Sequence, residues 1–175
     1  DLKHPAVRQL LRLSGWAVGY VAANQIALVV IKNLAKPGSG NVDAYSKAYT
    51  FLSLPHGLLA VSIATTFVPE LARAAADSNT KEFARRFISG VRLTALATIP
   101  ASLGMYVLAK PLVAMLLQHG NFSASATVNT ARALAGLALG LAGFSIYLFV
   151  LRGFYAHNDT RTPFFINLFE NALNI

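Results

Sequence analysis

The chain has 175 residues, 55% of them hydrophobic and only 13% charged, with a formal net charge of +8 and a pI near 10.1. An ordinary soluble domain carries roughly 25% charged residues, so this composition argues against one. The surplus of Lys and Arg does not point to nucleic acid, because those residues sit between apolar runs, and the lack of Cys excludes disulfides, Cys-based metal sites and thiol chemistry.

Four stretches lack any Asp, Glu, Lys or Arg: Leu13–Ile31, Ala48–Val68, Leu93–Ala109 and Ala133–Leu151. About 20 apolar residues at ~1.5 Å each cross a ~30 Å hydrocarbon core. An all-α, polytopic transmembrane helix bundle is therefore expected, treated as one unit over residues 1–175, with spans near 13–32, 43–76, 92–109 and 125–155. A fifth apolar stretch opens at Pro163 and is cut off at Ile175, which reads as a piece of a longer protein.

A charged lead-in, Asp1–Arg12, precedes the first span, whose centre holds the adjacent amides Asn24 and Gln25. Lys36–Asn41 is a Pro/Gly turn. Pro55 and Gly57 predict a kink in the second span. Residues 78–91 read as an amphipathic cytoplasmic segment capped by Thr80. Its Phe83, Phe87, Ile88 and Val91 face one way, as suits the headgroup layer. Lys110-Pro111 is expected to end the third span and leave a half-helix at 111–118. Ser123 or Ser125 can cap the fourth span, where Gly136, Gly140 and Gly143 have the spacing of a close helix contact.

Lys and Arg distribute unevenly. One side holds ten: Lys3, Arg8, Arg12, Arg73, Lys81, Arg85, Arg86, Arg92, Arg152 and Arg161. The other holds five: Lys32, Lys36, Lys47, Lys110 and Arg132. The positive-inside rule places the first group in the cytoplasm.

Polar side chains at membrane depth are the candidate site, because an unpaired polar group in hydrocarbon is costly. His56 lies about 20 Å into the second span at helical rise. It is either a cavity group that carries a proton or meets an anion, or a neutral His bonded to a carbonyl freed by Pro55. Asn24 and Gln25 either line a cavity or cross-link helices. Thr50 and Ser53 either line a cavity or bond to their own helix. Arg132 either snorkels or meets an anionic headgroup. Glu170 is expected to pair with a cation. No triad, phosphate loop or metal-ligand spacing occurs, and His4, His56, His119 and His157 are scattered. The expectation is a conduit or scaffold without cofactor or metal, not an enzyme.

Four sequence features converge on one family: Asn24-Gln25-Ile26, the run LPHGLLAVSIATTFVPELAR from Leu54 to Arg73, the turn Gly120-Asn121-Phe122, and GFYAHNDTRTP from Gly153 to Pro163. The chain resembles the MurJ/MviN family of lipid II flippases over essentially its whole length. The match is to about the seventh to eleventh of fourteen spans. The resemblance implies half of a two-lobe, MATE-like transporter of the bacterial cytoplasmic membrane, working by alternating access. Its partners would be an N-terminal lobe, membrane lipids, cell-wall synthesis proteins, and lipid II, a pyrophosphate-linked peptidoglycan precursor. Better-studied members carry an Arg and, three residues on, a Glu before the Pro of the second span. Here those places hold Thr50 and Ser53. The cationic duty then falls to Arg residues of the other lobe or to His56. A drug or lipid-linked polysaccharide exporter and a non-transporting scaffold for wall synthesis are the alternatives.

Overall fold

The computed structural model describes the backbone of residues 5–36 and 38–174, and side chains of residues 14–36 and 38–172. Lys3, the side chains of Arg8 and Arg12, Pro37 and the close of the fifth apolar stretch lie outside the described residues. The elements are α1 (Pro5–Leu34), α2 (Asn41–Pro55), a π-helical segment (His56–Val61), α3 (Ser62–Ala76), α4 (Thr80–Leu117), α5 (Ala124–Ala156) and α6 (Arg161–Asn174). Among the described residues, four uninterrupted helical stretches are long and apolar enough to cross a membrane: Ser14–Leu34, Asn41–Ala76, Thr80–Leu117 and Ala124–Ala156.

Pro55 does not break its helix. Its ring crowds the carbonyl one turn earlier and it offers no N–H. The chain answers by widening to π-helical winding over His56–Val61, then returns to α-helix at Ser62. Such an inserted wide turn re-aims the residues around it without ending the rod.

α4 departs from expectation at both ends. Its N-cap is Asn79, not Thr80: the Asn79 side chain accepts from the Glu82 N–H at 3.1 Å. At the other end α4 runs unbroken through Pro111 to Leu117, so no separate half-helix occupies 111–118. Packing explains this. Val113, two residues past the proline, is fully buried with Ala48, Ala109, Ala131 and Leu134. That core holds the last turns helical against the local preference of Pro.

α4 and α5 form the closest pair, and two phenylalanines lock them. The tip of the Phe149 ring of α5 points at the backbone of Gly90, where an added Cβ would meet Cζ at 2.1 Å. Reciprocally, Phe87 of α4 sits against Gly153 of α5, with 2.6 Å to an added Cβ. Only glycine permits these approaches. By contrast, Gly136, Gly140 and Gly143 have nothing within 4 Å of such a Cβ. Within this chain, the close glycine contact of α5 is made at Gly153 instead. Small polar groups complete the seam: buried Thr98 donates to the Thr94 carbonyl at 2.7 Å, and buried Ser102 donates across to the Ala138 carbonyl. Hydroxyls that bond between or within helices are tolerated in lipid for that reason.

The amphipathic start of α4 also docks on protein. Phe83 stacks on Phe87 with ring centroids 6.0 Å apart and meets His157 edge-on at 4.4 Å. Ile88 alone of that face stays half exposed. Arg86 bridges the α3–α4 hairpin, reaching Glu70 at 2.9 Å and Glu82 at 2.7 Å, while Arg85 also holds Glu82 at 2.7 Å.

Ser123 caps α5, accepting from the Ala126 N–H at 3.2 Å. Asp159 organises the start of α6 by accepting from the N–H groups of Arg161 and Thr162, each at 3.0 Å. Those bonds to Thr162 hold its carboxyl below the usual carboxylate range. Pro163 falls in the first turn of α6, where its missing donor costs nothing, and is fully buried. α6 packs along α1, where Phe164 abuts Gly19 and Trp16 lies 5.2 Å from the Phe164 ring. The Arg161 guanidinium sits 5.8 Å from the Trp16 ring.

Candidate functional site

The polar candidates separate into three places. The first is on α2. Its buried residues Ala44, Ala48 and Leu52 recur at every fourth position and face the core. Ser46, Thr50, Ser53 and Gly57 recur on the opposite side and are exposed. Thr50 donates to the Ser46 carbonyl at 3.0 Å and Ser53 to the Thr50 carbonyl at 2.7 Å. Their donors are spent on their own helix, yet each oxygen keeps lone pairs for an outside donor. The stripe continues past the π segment with Thr65 and Thr66, both bonded to the Ser62 carbonyl.

His56 opens the π segment beside this stripe. It reaches neither a freed carbonyl nor open space alone. Its Nδ1 lies 2.9 Å from Ser145 Oγ of α5, and its ring is 5.0 Å from Phe144. Ser145 is only 1% exposed, so the link fixes the imidazole from behind. The ring itself remains half-buried. Its other nitrogen is left to serve as donor or acceptor, according to tautomer. This partner was not legible in the sequence, being 89 residues away.

The second place is between α1 and α6. Asn24 donates to Asn167 Oδ1 at 3.2 Å and accepts from Asn167 Nδ2 at 3.4 Å. Asn24 also donates to the Tyr20 carbonyl at 3.0 Å. Asn171 donates to Asn167 Oδ1 at 3.1 Å. Asn167, 2% exposed, is a residue the sequence reading overlooked. Asn24 thus cross-links helices, whereas its neighbour Gln25 is exposed on the far side of α1. Asn and its partner could have been suspected only from the pair of amides at Asn167 and Asn171, one turn apart.

Arg132 belongs to a third place. It is exposed on α5 and shares a groove with Lys110 of α4, rather than joining the hydroxyl stripe. Glu170 is exposed on α6 and lines a separate groove of about 430 Å³ with Gly140, Gly143 and Tyr147. Among the described residues there is no group of three or more His, Asp or Glu arranged to hold a metal ion.

The comparisons with known proteins agree with this architecture. The family model described as lipid II flippase MurJ matches residues 1–175. A lipid II flippase MurJ of Burkholderia cenocepacia is 33% identical over 163 residues, covering 93% of this chain and 32% of its own length. A probable lipid II flippase MurJ of Rhizobium meliloti is 34% identical over 171 residues, covering 98% of this chain and 32% of its own. A solved structure of lipid II flippase MurJ in an inward closed conformation superposes with a TM-score of 0.78 at 28% identity, over 87% of this chain and 32% of that one. The chain therefore spans about a third of the length of the relatives it matches. With all 175 residues matched and, among the described residues, four apolar helices of spanning length, it is a multi-pass membrane segment that belongs to the MurJ family.

Proposed function

We propose that this chain is the front part of one lobe of a lipid II flippase. The longer protein carries a pyrophosphate-linked peptidoglycan precursor across the bacterial cytoplasmic membrane by alternating access. The observation that carries this reading is the match of the family model to every residue from 1 to 175, with the fold in agreement. On this reading the N-terminus and the α3–α4 hairpin are cytoplasmic, and the 118–123 turn is external.

Within the lobe, the stripe of Ser46, Thr50 and Ser53 lines the aqueous cavity, with His56 at its inner end. Support comes from its exposure opposite the buried face of α2, since polar groups in a span turn toward protein or water rather than lipid. Hydroxyl oxygens here accept hydrogen bonds from sugar or peptide groups of the headgroup. The pyrophosphate charge is met by guanidinium groups of the other lobe, where bidentate pairing suits phosphate. His56, steadied by Ser145, supplies one further donor at midplane.

The test is accessibility. In the full-length protein with other cysteines replaced, Thr50→Cys and Ser53→Cys should react with a membrane-impermeant thiol reagent. Ala48→Cys, which is fully buried, should not. Equal silence at all three positions would remove the stripe from the cavity. An exporter of drugs or other lipid-linked glycans would share that labelling, but would not support growth when the native flippase is depleted.

A scaffold that recruits acidic partners through Arg85 and Arg86 is disfavoured. Both guanidiniums are engaged with Glu82, and Arg86 also with Glu70.

A further inference from the structure

We propose that the Lys110–Arg132 groove is a binding site for one anionic phospholipid, in the leaflet at the 118–123 end of the bundle. It rests on membrane insertion alone and not on the transport reading.

Four basic residues divide the two closest helices at matching heights. On α4, Arg92 and Lys110 are separated by 18 residues, about 27 Å at helical rise. On antiparallel α5, Arg132 and Arg152 are separated by 20 residues, about 30 Å. The stretches between them carry no charge. Both lengths equal one hydrocarbon core. Arg92 and Arg152 therefore mark one membrane boundary, and Lys110 and Arg132 mark the other. The helix ends beyond Lys110 and before Arg132 stand above the hydrocarbon. The two cations are at the depth of lipid phosphates.

They also converge. Lys110 and Arg132 line one groove of about 420 Å³ between α4 and α5, with Tyr106, Val107, Val128 and Ala131. The small Ala131 and short Val128 leave a shallow apolar floor. Tyr106 and Val107 are 48% and 73% exposed beside it. Cations at one end of an apolar trough match a phosphodiester with its acyl chains running along the helices.

Charge balance chooses the occupant. From Phe83 through Asn158 the sequence contains no Asp or Glu, so neither α5 nor the upper part of α4 can neutralise this pair. On neighbouring α2, Asp43 is engaged by Lys47. Two converging cations at the edge of hydrocarbon repel one another and favour a shared anion. The bilayer surface supplies phosphate at that depth.

The test uses the full-length protein in detergent, probed by native mass spectrometry with phosphatidylglycerol and, separately, phosphatidylcholine. The wild type should retain phosphatidylglycerol preferentially. Lys110→Gln and Arg132→Gln should each weaken that retention by about fivefold, the worth of one basic residue at a lipid surface. The double variant should hold both lipids equally, and Lys110→Arg should behave as wild type. Lys36→Gln, in the exposed first turn, should change nothing. The proposal is overturned if the double variant keeps its preference, if Lys36→Gln lowers it as much, or if inorganic phosphate competes as well as the lipid. It is also overturned if the wild type shows no preference while the double variant melts earlier in both lipids. That pattern would mean that a carboxylate of the longer protein covers the groove.

Discussion

Gly90→Ala is the sharpest test of how α4 and α5 are held together. The added Cβ would lie 2.1 Å from Phe149 Cζ and 2.8 Å from both Cε atoms. Carbon atoms rest at about 3.5–4.0 Å, so the ring would have to retreat by roughly 1.5 Å. It has nowhere to go. Phe149 is 2% exposed, with Phe67 edge-on at 6.1 Å and Phe87 tilted against it at 6.0 Å. Overpacking of this kind costs about 1–3 kcal/mol, and the rigid surround places it at the upper end. Alanine returns about 1 kcal/mol of helix propensity over glycine. The net expectation is a loss of about 2 kcal/mol. Gly140→Ala meets open space and should gain up to about 1 kcal/mol. The assay is reversible unfolding of the full-length protein in mixed micelles, with the cycle Gly90→Ala, Phe149→Leu and the double variant. A coupling near 2 kcal/mol is expected, since contacting residues are not additive. A Gly90→Ala protein as stable as wild type, or a double variant that recovers nothing, would refute the reasoning.

Three further outcomes are checked by the same or simpler means. Asn167→Leu removes both inter-helix bonds of the Asn24 amide, leaving only its bond to the Tyr20 carbonyl, and should cost about 1–3 kcal/mol in micelle unfolding, while Asn24→Leu combined with it should recover part of the loss. Ser145→Ala releases the His56 ring and should destabilise by about 0.5–2 kcal/mol, as for other inter-helix side-chain bonds in bilayers. Asp159 has a folded-state pKa below its ordinary value, so its contribution is complete above about pH 4 and disappears as pH falls through the depressed value. An acid titration of stability should therefore be flatter in Asp159→Asn than in wild type over that range. An identical slope would dismiss the capping role.

The reach of the sequence differs from residue to residue. The apolar runs were legible because hydrocarbon thickness sets one length, and any uncharged stretch of that length declares itself. GFYAHNDTRTP was one of the four features that carried the resemblance, and the structure gives part of it a physical reason: Asp159 and Pro163 start α6, and Gly153 receives Phe87. For the glycines of α5, spacing reveals a shared face but not what that face meets. Gly136, Gly140 and Gly143 look outward. Gly90 and Gly153 were missed because each works alone against a ring on another helix. Pro111 read as a terminator because local strain is visible in sequence, whereas the burial of Val113 that overrides it is not. In the candidate site, the sequence left Thr50 and Ser53 between lining a cavity and bonding to their own helix; their common exposed face opposite Ala44, Ala48 and Leu52 came from the fold. The partners of His56 and Asn24 lie 89 and 143 residues away and needed the fold.

The central claim is that this chain works within a lipid II flippase, with His56 in its cavity. The most direct measurement is growth of cells depleted of their native flippase and supplied with the full-length gene, as wild type or His56→Ala, at equal membrane levels. The account predicts rescue by wild type and loss or strong reduction of rescue by the variant. Failure of a correctly inserted wild type to rescue would contradict the flippase reading, and full rescue by His56→Ala would remove the imidazole from the working site.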